Sequence, residues 1–162
     1  MKKVYEYYDT DIDGNEEYDI ADEQYKNLIS ICGNYCTTLS LVITNHNSNL
    51  LNEISKYEIP KSEKITFQYT HYKNTDIVVK YYRVCEKLID CILSNTNSIF
   101  CWINGWGYSN PEDPTFYRED GSVFFSSTIH DGICRLIVDE SHEDVSNVIS
   151  NHHWINLNSC EI

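Results

Sequence analysis

The sequence predicts an α+β protein with a mostly antiparallel β-sheet and helices packed on one side of it. Short β-rich runs separated by Asp-Gly pairs are typical of antiparallel hairpins. Longer segments with apolar residues at helical spacing lie between other β-rich runs. The chain has 162 residues, of which 41% are hydrophobic and 13% aromatic. This length and composition favour a single packed domain over residues 1–162.

In the N-terminal half, a first strand is predicted at residues 4–8 and an Asp-rich turn at 9–15. A helix is expected to begin near Asp19, because acidic residues stabilise a helix N-terminus. Gly33 is expected to end this helix. The next predicted elements are a strand at 37–44, a short helix capped by Asn47 or Ser48 and closed by Pro60, and an alternating strand at 65–72.

In the C-terminal half, the longest helix is predicted at residues 76–93, capped by Asn74 or Thr75, and a strand at 98–104. Residues 115–138 predict a three-stranded meander, because Asp-Gly pairs at 120–121 and 131–132 separate β-rich runs. Both positions of such a two-residue turn favour positive φ. The last predicted elements are a helix capped by residues 141–144 and running to Ile149, and a short strand at 153–157.

Two blocks of the chain contain its excess negative charge, which is −13 overall. Residues 1–23 have a net charge of −7, residues 112–144 also have −7, and residues 24–111 have +2. Blocks of one sign speed the encounter with an oppositely charged partner. They also repel nucleic acid and anionic membrane surfaces. We therefore expect a protein partner with a basic surface, and neither nucleic acid nor membrane as a partner.

The sequence predicts a cytoplasmic protein. Its N-terminus lacks the apolar run of a signal peptide, and no apolar stretch approaches the roughly 18 residues that span a bilayer. The seven cysteines are an odd number without secretory features. They are expected to be reduced thiols that pack in the core.

Few motifs indicate chemistry. The segment Asp9-x-Asp11-x-Asp13-Gly14 matches the first half of a calcium-binding loop. Its eighth and twelfth positions, Glu16 and Ile20, do not fit that loop, so an exposed acidic turn is favoured over weak cation binding. His130-Asp131 falls at a predicted hairpin turn, where turn geometry explains it. No catalytic residue, metal or cofactor is predicted.

An aromatic loop follows the strand predicted at 98–104. Trp102, Trp106 and Tyr108 flank two glycines just before the segment Pro111-Glu112-Asp113-Pro114. Either one tryptophan is buried in the core and the loop is folded back, or the loop forms an exposed aromatic platform rimmed by Glu112 and Asp113. Tryptophan and tyrosine are enriched among the residues that dominate binding energy.

One segment resembles a pattern in small uncharacterised acidic bacterial proteins. Residues 111–117 begin Pro-Glu-Asp-x-x-Phe, and residues 127–131 are Ser-Thr-Ile-His-Asp. In those proteins a Pro-Glu-Asp-x-x-Phe segment precedes a hairpin that ends at a Ser-x-x-His-acid group. This resemblance implies no biochemical role. As a class, small acidic cytosolic α+β proteins also resemble the immunity proteins of bacterial polymorphic toxin systems.

We therefore expect a non-catalytic binding protein, most concretely an immunity or inhibitor protein that blocks a basic toxin such as a nuclease. The alternatives are a small metal-dependent or His/Asp hydrolase using His130 or Asp131, a phage inhibitor of a host defence protein, and a regulatory subunit. The predicted partner-binding residues are the carboxylates Asp9, Asp11, Asp13, Glu16, Glu17, Glu112, Asp113 and Glu119, with Trp106, Tyr108 and Tyr117 as aromatic anchors.

Overall fold

The computed structural model describes residues 2–8, 19–44, 46–60, 78–105, 107–150 and 153–159. These residues confirm the predicted α+β class, because helices pack against a large antiparallel sheet. The described helices are α1 (Asp22–Tyr35), α2 (Asn49–Ile54), α3 (Glu86–Asn95) and α4 (Ser146–Ile149). The described strands are β1 (Lys2–Tyr8), β2 (Thr38–Ile43), β3 (Glu58–Ile59), β4 (Val78–Arg83), β5 (Asn104–Gly105), β6 (Tyr108–Ser109), β7 (Glu112–Tyr117), β8 (Val123–Thr128), β9 (Ile133–Asp139) and β10 (Trp154–Asn156).

The main sheet has the strand order β10-β1-β9-β8-β7-β2-β4-β3, and every neighbouring pair is antiparallel. β1 therefore lies between two strands from the C-terminal part of the chain. β5 and β6 form a separate two-stranded ribbon. Helix α1 packs against β8 and contacts both α3 and α4. The core lies between these helices and the sheet.

The predicted meander is confirmed as β7, β8 and β9, but its turns are not two-residue turns. Gly121 and Gly132 have φ of 79° and 63°, whereas the preceding aspartates do not have positive φ. Asp120 instead accepts a hydrogen bond from the Ser122 amide at 2.8 Å. The second turn contains a 3₁₀ segment, Ile129–Asp131. Longer turns need positive φ at one position only, and glycine supplies it.

The predictions for β1, β2 and α2 are confirmed, and Ser48 Oγ accepts a hydrogen bond from the Leu51 amide at 3.4 Å as the cap of α2. The predicted start near Asp19 is wrong, because α1 begins at Asp22 after Ala21. The carboxylate of Asp19 is used elsewhere and accepts a hydrogen bond from the Phe100 amide at 3.3 Å. The strand predicted at 65–72 lies outside the described residues.

Gly33 does not end helix α1. It lies inside the helix, which continues to Tyr35. A Cβ atom at this position would be 2.8 Å from Cγ1 of Ile89 on α3. Real Cβ contacts essentially never come that close, so the absence of a side chain lets the two helices approach. The glycine therefore serves packing rather than capping.

The prediction of one long helix at 76–93 is wrong. Residues 78–83 form β4, which pairs with β2 along its whole length, and a shorter helix begins at Glu86. Tyr81 and Tyr82 are both buried, because β4 contributes side chains to both faces of the sheet. An apolar run that is buried on both faces matches a helical stripe as well as a strand, so periodicity alone did not separate them.

The prediction of a strand at 98–104 is also wrong. Most of this range is a 3₁₀ turn, Ile99–Cys101, and the residues after it, and the short strand β5 begins only at Asn104. Trp102, which follows this turn, is fully buried. Its Nε1 donates a hydrogen bond to the hydroxyl of Tyr25 at 2.8 Å, and that hydroxyl lies 2.6 Å from Thr96 Oγ1. A satisfied indole N–H allows the whole ring to serve as core.

The C-terminal elements are shorter than predicted. Residues 141–144, predicted to cap the last helix, lie in the turn region before it, and α4 begins only at Ser146. The last strand, β10, falls within the predicted range and pairs with β1. Four of the six described cysteines are buried free thiols, as expected for core packing. Burial raises the pKa of Cys36 to about 12.

Candidate functional site

The two halves of the sequence pattern, residues 111–116 and 127–131, lie against each other. The first half enters β7, and the second spans the end of β8 and the turn that follows, so strand pairing brings them together. The hydroxyl of Ser127 donates a hydrogen bond to the Pro114 carbonyl at 3.4 Å. The pattern therefore corresponds to one structural unit of the meander.

Glu112 connects this unit to the β5–β6 ribbon and is only 2% exposed. Its Oε1 accepts a hydrogen bond from the Asn104 amide at 2.9 Å, and its Oε2 lies 3.1 Å from Nε2 of His130. The side chain of His130 is 49% exposed. Through these two partners the buried carboxylate of Glu112 connects the β5–β6 ribbon to the turn after β8. It therefore has a structural role and is not exposed to solvent.

Asp113 is 1% exposed and has φ of +49°, an unusual value for a residue other than glycine. Its Oδ1 accepts a hydrogen bond from the Ile129 amide at 2.8 Å. This bond fixes the backbone where the chain enters β7. Both carboxylates of the segment at 111–114 are thus internal, and neither is available to steer a partner in this conformation.

The other predicted partner-binding residues have different environments. Tyr117 is 2% exposed, and burial raises the pKa of its hydroxyl. Glu119 is exposed, and Tyr108 is 42% exposed on the β5–β6 ribbon. The structure therefore keeps Glu119 and Tyr108 accessible and places Tyr117 in the core. The remaining predicted residues, Asp9, Asp11, Asp13, Glu16, Glu17 and Trp106, lie outside the described residues.

A hydrogen-bonded turn with four carboxylates connects β9 to α4, and we call residues 139–144 the acidic turn. The carbonyl of Asp139 accepts hydrogen bonds from the amides of His142 and Glu143, both at 2.9 Å. The amide of Asp139 in turn donates to Oε2 of Glu143 at 2.6 Å. These reciprocal bonds give the turn a defined backbone conformation, from which its side chains extend.

A largely buried ion pair holds the acidic turn against the meander, and we call it the Arg118–Glu143 clamp. Nε and Nη2 of Arg118 donate to the two carboxylate oxygens of Glu143 at 2.5 and 2.8 Å. The guanidinium also donates to the carbonyls of Val123 and Ile137 and lies 5.1 Å from the centre of the Phe124 ring. The two charged side chains are only 14% and 7% exposed. The clamp therefore anchors the turn to β8 and β9.

Glu143 is ionised despite its burial. Desolvation is the strongest influence on its carboxyl and raises the pKa, but hydrogen bonds from Arg118 and from the Asp139 amide together outweigh it. The net result is a pKa below the ordinary value. Its charge is therefore present at neutral pH and is neutralised within the fold by Arg118.

The other three carboxylates of the acidic turn are at or near the surface, and all have lowered pKa values. In each case the leading cause is a hydrogen bond, donated by Ser141 to Asp139, by Lys3 to Glu140 and by Ser146 to Asp144. Hydrogen bonds to the charged form favour ionisation. The surface of the turn is thus negative at neutral pH, with Lys3 as a neighbouring base 2.7 Å from Glu140.

A surface cleft of about 570 Å³ opens between the acidic turn, α4 and the end of α1. Tyr35 forms one wall, and its hydroxyl accepts a hydrogen bond from the Asp144 amide at 3.0 Å. Its ring packs against Phe124 with centroids 5.6 Å apart. Val145 and Ile149 contribute apolar surface to the lining. The lining of the cleft therefore includes an aromatic side chain, apolar side chains and exposed carboxylates.

Within the described residues, no group of three His, Cys, Asp or Glu side chains is arranged to hold a metal ion. His142 lines the surface cleft, whereas Cys134 lines a small internal cavity of about 10 Å³. His130 lines neither of these two cavities. His130, Cys134 and His142 therefore do not share either of these cavities.

Sequence reasoning missed the acidic turn as a candidate site, because Ser141-His142-Glu143-Asp144 fits a helix cap. The available signal was local charge density, since four of the six residues at 139–144 are acidic. The cleft itself could not be found from sequence. Tyr35 and Asp144 are 109 positions apart, and only the packing of α1 beside the meander brings them into contact.

Comparison with protein-family models, with curated proteins and with solved structures gives no match to this chain. The function therefore has to be argued from the site itself. None of the helices in the described ranges is both long enough and apolar enough to cross a membrane.

Proposed function

We propose that this protein is a non-catalytic binding protein whose acidic turn engages a basic surface of a partner protein. The most concrete form of the proposal is a cytoplasmic immunity or inhibitor protein that neutralises a toxin by direct binding. Nuclease toxins have basic clefts that bind phosphates, and carboxylates can occupy such clefts as anion mimics. The acidity of the chain argues against nucleic acid as its own ligand.

The observation that carries the proposal is the preorganised acidic turn. Its carboxylates are ionised, and the Arg118–Glu143 clamp and the reciprocal bonds of Asp139 hold the backbone that carries them. A rigid binding surface loses less conformational entropy on association than a flexible one. Negative charge on that surface accelerates the encounter with a basic partner. Both effects favour fast and tight binding without catalysis.

The test begins with recovery of a partner from the native organism by affinity capture on the full chain. The captured protein is then purified, and the stoichiometry is measured by calorimetry. We expect a 1:1 complex with a basic protein. If the partner is a toxin, co-expression with this chain should restore growth of cells that the partner otherwise kills.

Two variants localise the binding surface. Glu140→Gln/Asp144→Asn removes two charges from the acidic turn, and Glu86→Gln/Asp90→Asn removes two exposed charges from helix α3 as a matched control. We expect the first variant to weaken the complex and the protection from toxicity, and the second to retain both. Equal effects of the two variants would contradict a role for the turn. Failure to recover any basic partner would count against the function itself.

The Glu112–His130 pair favours a second candidate, a small hydrolase. A half-exposed imidazole bonded to a buried carboxylate matches the base-and-orienter arrangement of general-base catalysis. The measurement that separates the candidates is His130→Ala in the protection assay. Retained protection supports stoichiometric binding, whereas loss of protection with an unchanged affinity for the partner would favour catalysis.

A further inference from the structure

We infer that the cleft beside the acidic turn receives an arginine side chain of the partner protein. The inference rests on the proposed binding function and adds the chemical identity of the group that is recognised. It concerns the cleft between Tyr35, the acidic turn and α4, which the sequence did not single out.

The cleft has a volume and a lining that suit a long side chain with an apolar stem and a charged end. Its volume of about 570 Å³ lies within the range of roughly 300–1,000 Å³ that is usual for ligand pockets. Ile149, which is half-buried, offers apolar surface for a methylene stem, and Tyr35 is the aromatic residue of the lining. Glu140 and Asp144 place carboxylates at the rim, where the charged end of the stem would lie.

The charge at the rim is only partly neutralised within the fold. Glu143 is bound by Arg118, and Glu140 lies 2.7 Å from Lys3. The carboxylate of Asp144 accepts a hydrogen bond from the Ser146 amide at 3.0 Å but forms no ion pair with a basic side chain in the described part of the chain. A cation that enters the cleft would therefore complete the charge balance at Asp144.

The fold already contains an arrangement of this kind. The Arg118 guanidinium binds a carboxylate through two hydrogen bonds and lies over the ring of Phe124. Tyr35 packs against the same Phe124 ring and faces the cleft. The cleft thus offers an incoming guanidinium the same two groups, a carboxylate and an aromatic ring. A planar guanidinium binds a carboxylate and an aromatic ring together more favourably than the compact ammonium of lysine does.

The experiment titrates the isotopically labelled full chain with the capped tripeptide acetyl-Gly-Arg-Gly-amide and follows backbone amide shifts by NMR. Peptides with lysine or citrulline in place of arginine serve as matched probes. We expect saturable shifts centred on Tyr35 and residues 140–149, with millimolar affinity for the arginine peptide. Lysine should bind at least about three-fold more weakly, because it lacks the planar contact. Citrulline, which is uncharged, should not bind.

Variants assign the contacts. Asp144→Asn should weaken binding of the arginine peptide about three- to five-fold, which is typical of a partly exposed ion pair. Tyr35→Phe should retain the preference for arginine over lysine, and Tyr35→Leu should lose it. The α3 control, Glu86→Gln/Asp90→Asn, should leave the affinity unchanged. The dispersion of each spectrum verifies folding, and Asp144→Asn remains decisive if Tyr35→Leu does not fold.

The inference is overturned if the arginine and lysine peptides bind equally, if shifts spread over all acidic surfaces, or if Asp144→Asn behaves like the α3 control. None of these results would remove a 1:1 complex with a basic partner that depends on the acidic turn. Conversely, the absence of any basic partner would contradict the proposed function even if the peptide binds in the cleft. The two failures are therefore distinguishable.

Discussion

Replacement of Arg118 by methionine should strongly destabilise the fold. The substitution removes the guanidinium from a site where its side chain is 14% exposed, and it leaves the carboxylate of Glu143, 7% exposed, without its charge partner. It also removes the donors to the carbonyls of Val123 and Ile137. Loss of one member of a fully buried pair costs about 3–5 kcal/mol, and this part-buried pair should lie near the lower end of that range. This is a large fraction of the 5–15 kcal/mol that is usual for the stability of a domain.

Urea unfolding followed by tryptophan fluorescence and circular dichroism measures this loss. With a slope of about 2 kcal/mol per molar urea, the midpoint should fall by roughly 2 M. The control is Lys80→Met, which breaks an exposed ion pair with Glu58 at 2.9 Å and should cost at most about 1 kcal/mol. A similar shift for the two variants would refute the idea that burial makes the clamp important.

A double-mutant cycle isolates the pairwise term. Glu143→Gln alone should cost about 1–3 kcal/mol, because it removes the charge but keeps hydrogen-bonding atoms. In the combined variant the two losses should overlap, with a coupling energy of about 1–3 kcal/mol. Additive losses, or a loss below about 1 kcal/mol for Arg118→Met, would contradict the clamp as the anchor of the acidic turn.

Three further predictions test separate features. The free energy of unfolding should fall as the pH drops below 4.5, the ordinary pKa of a glutamate carboxyl. The fold lowers the pKa of Glu143, so the stability that its charge contributes is lost as the carboxyl is protonated. Urea unfolding at several pH values should give a shallower fall for Glu143→Gln. Gly33→Ala should destabilise the protein by about 1–3 kcal/mol in calorimetry, because its Cβ would lie 2.8 Å from Cγ1 of Ile89. In an Ile89→Ala background, which lacks that atom, the same substitution should be neutral or stabilising. Glu112→Ala should cost about 1–3 kcal/mol in chemical denaturation, because it removes a buried carboxylate and its part-buried hydrogen bond with the Asn104 amide. His130→Ala, at a half-exposed side chain, should cost less than about 1 kcal/mol.

Much of the sheet could be predicted because its signals are local. The meander follows from Asp-Gly pairs between β-rich runs, and Ser48 is a standard helix cap. The boundary between β4 and α3 could not be predicted, because residues 78–93 form one nearly continuous apolar pattern. Only the pairing of Val78–Arg83 with β2 decides that this part is a strand.

The candidate site was harder to predict because charge in a sequence does not indicate exposure. The sequence around Glu112 and Asp113 is compatible with an exposed rim, yet each carboxylate is buried and bonded to a segment more than fifteen positions away. Glu143 is likewise neutralised by Arg118, 25 positions earlier in the chain. Of the second acidic block, Glu140 and Asp144 are exposed on the acidic turn, whereas Glu119, Asp120 and Asp131 are exposed at the turns of the meander.

The association rate with the captured partner, measured as a function of salt, shows whether the acidic turn receives the partner. We expect a 1:1 complex whose kon falls at least about ten-fold between 50 and 500 mM salt. We also expect a lower kon and a weaker salt dependence for Glu140→Gln/Asp144→Asn than for the α3 control. A kon that does not change with salt, or one that both variants lower equally, would contradict the acidic turn as the surface that receives the partner.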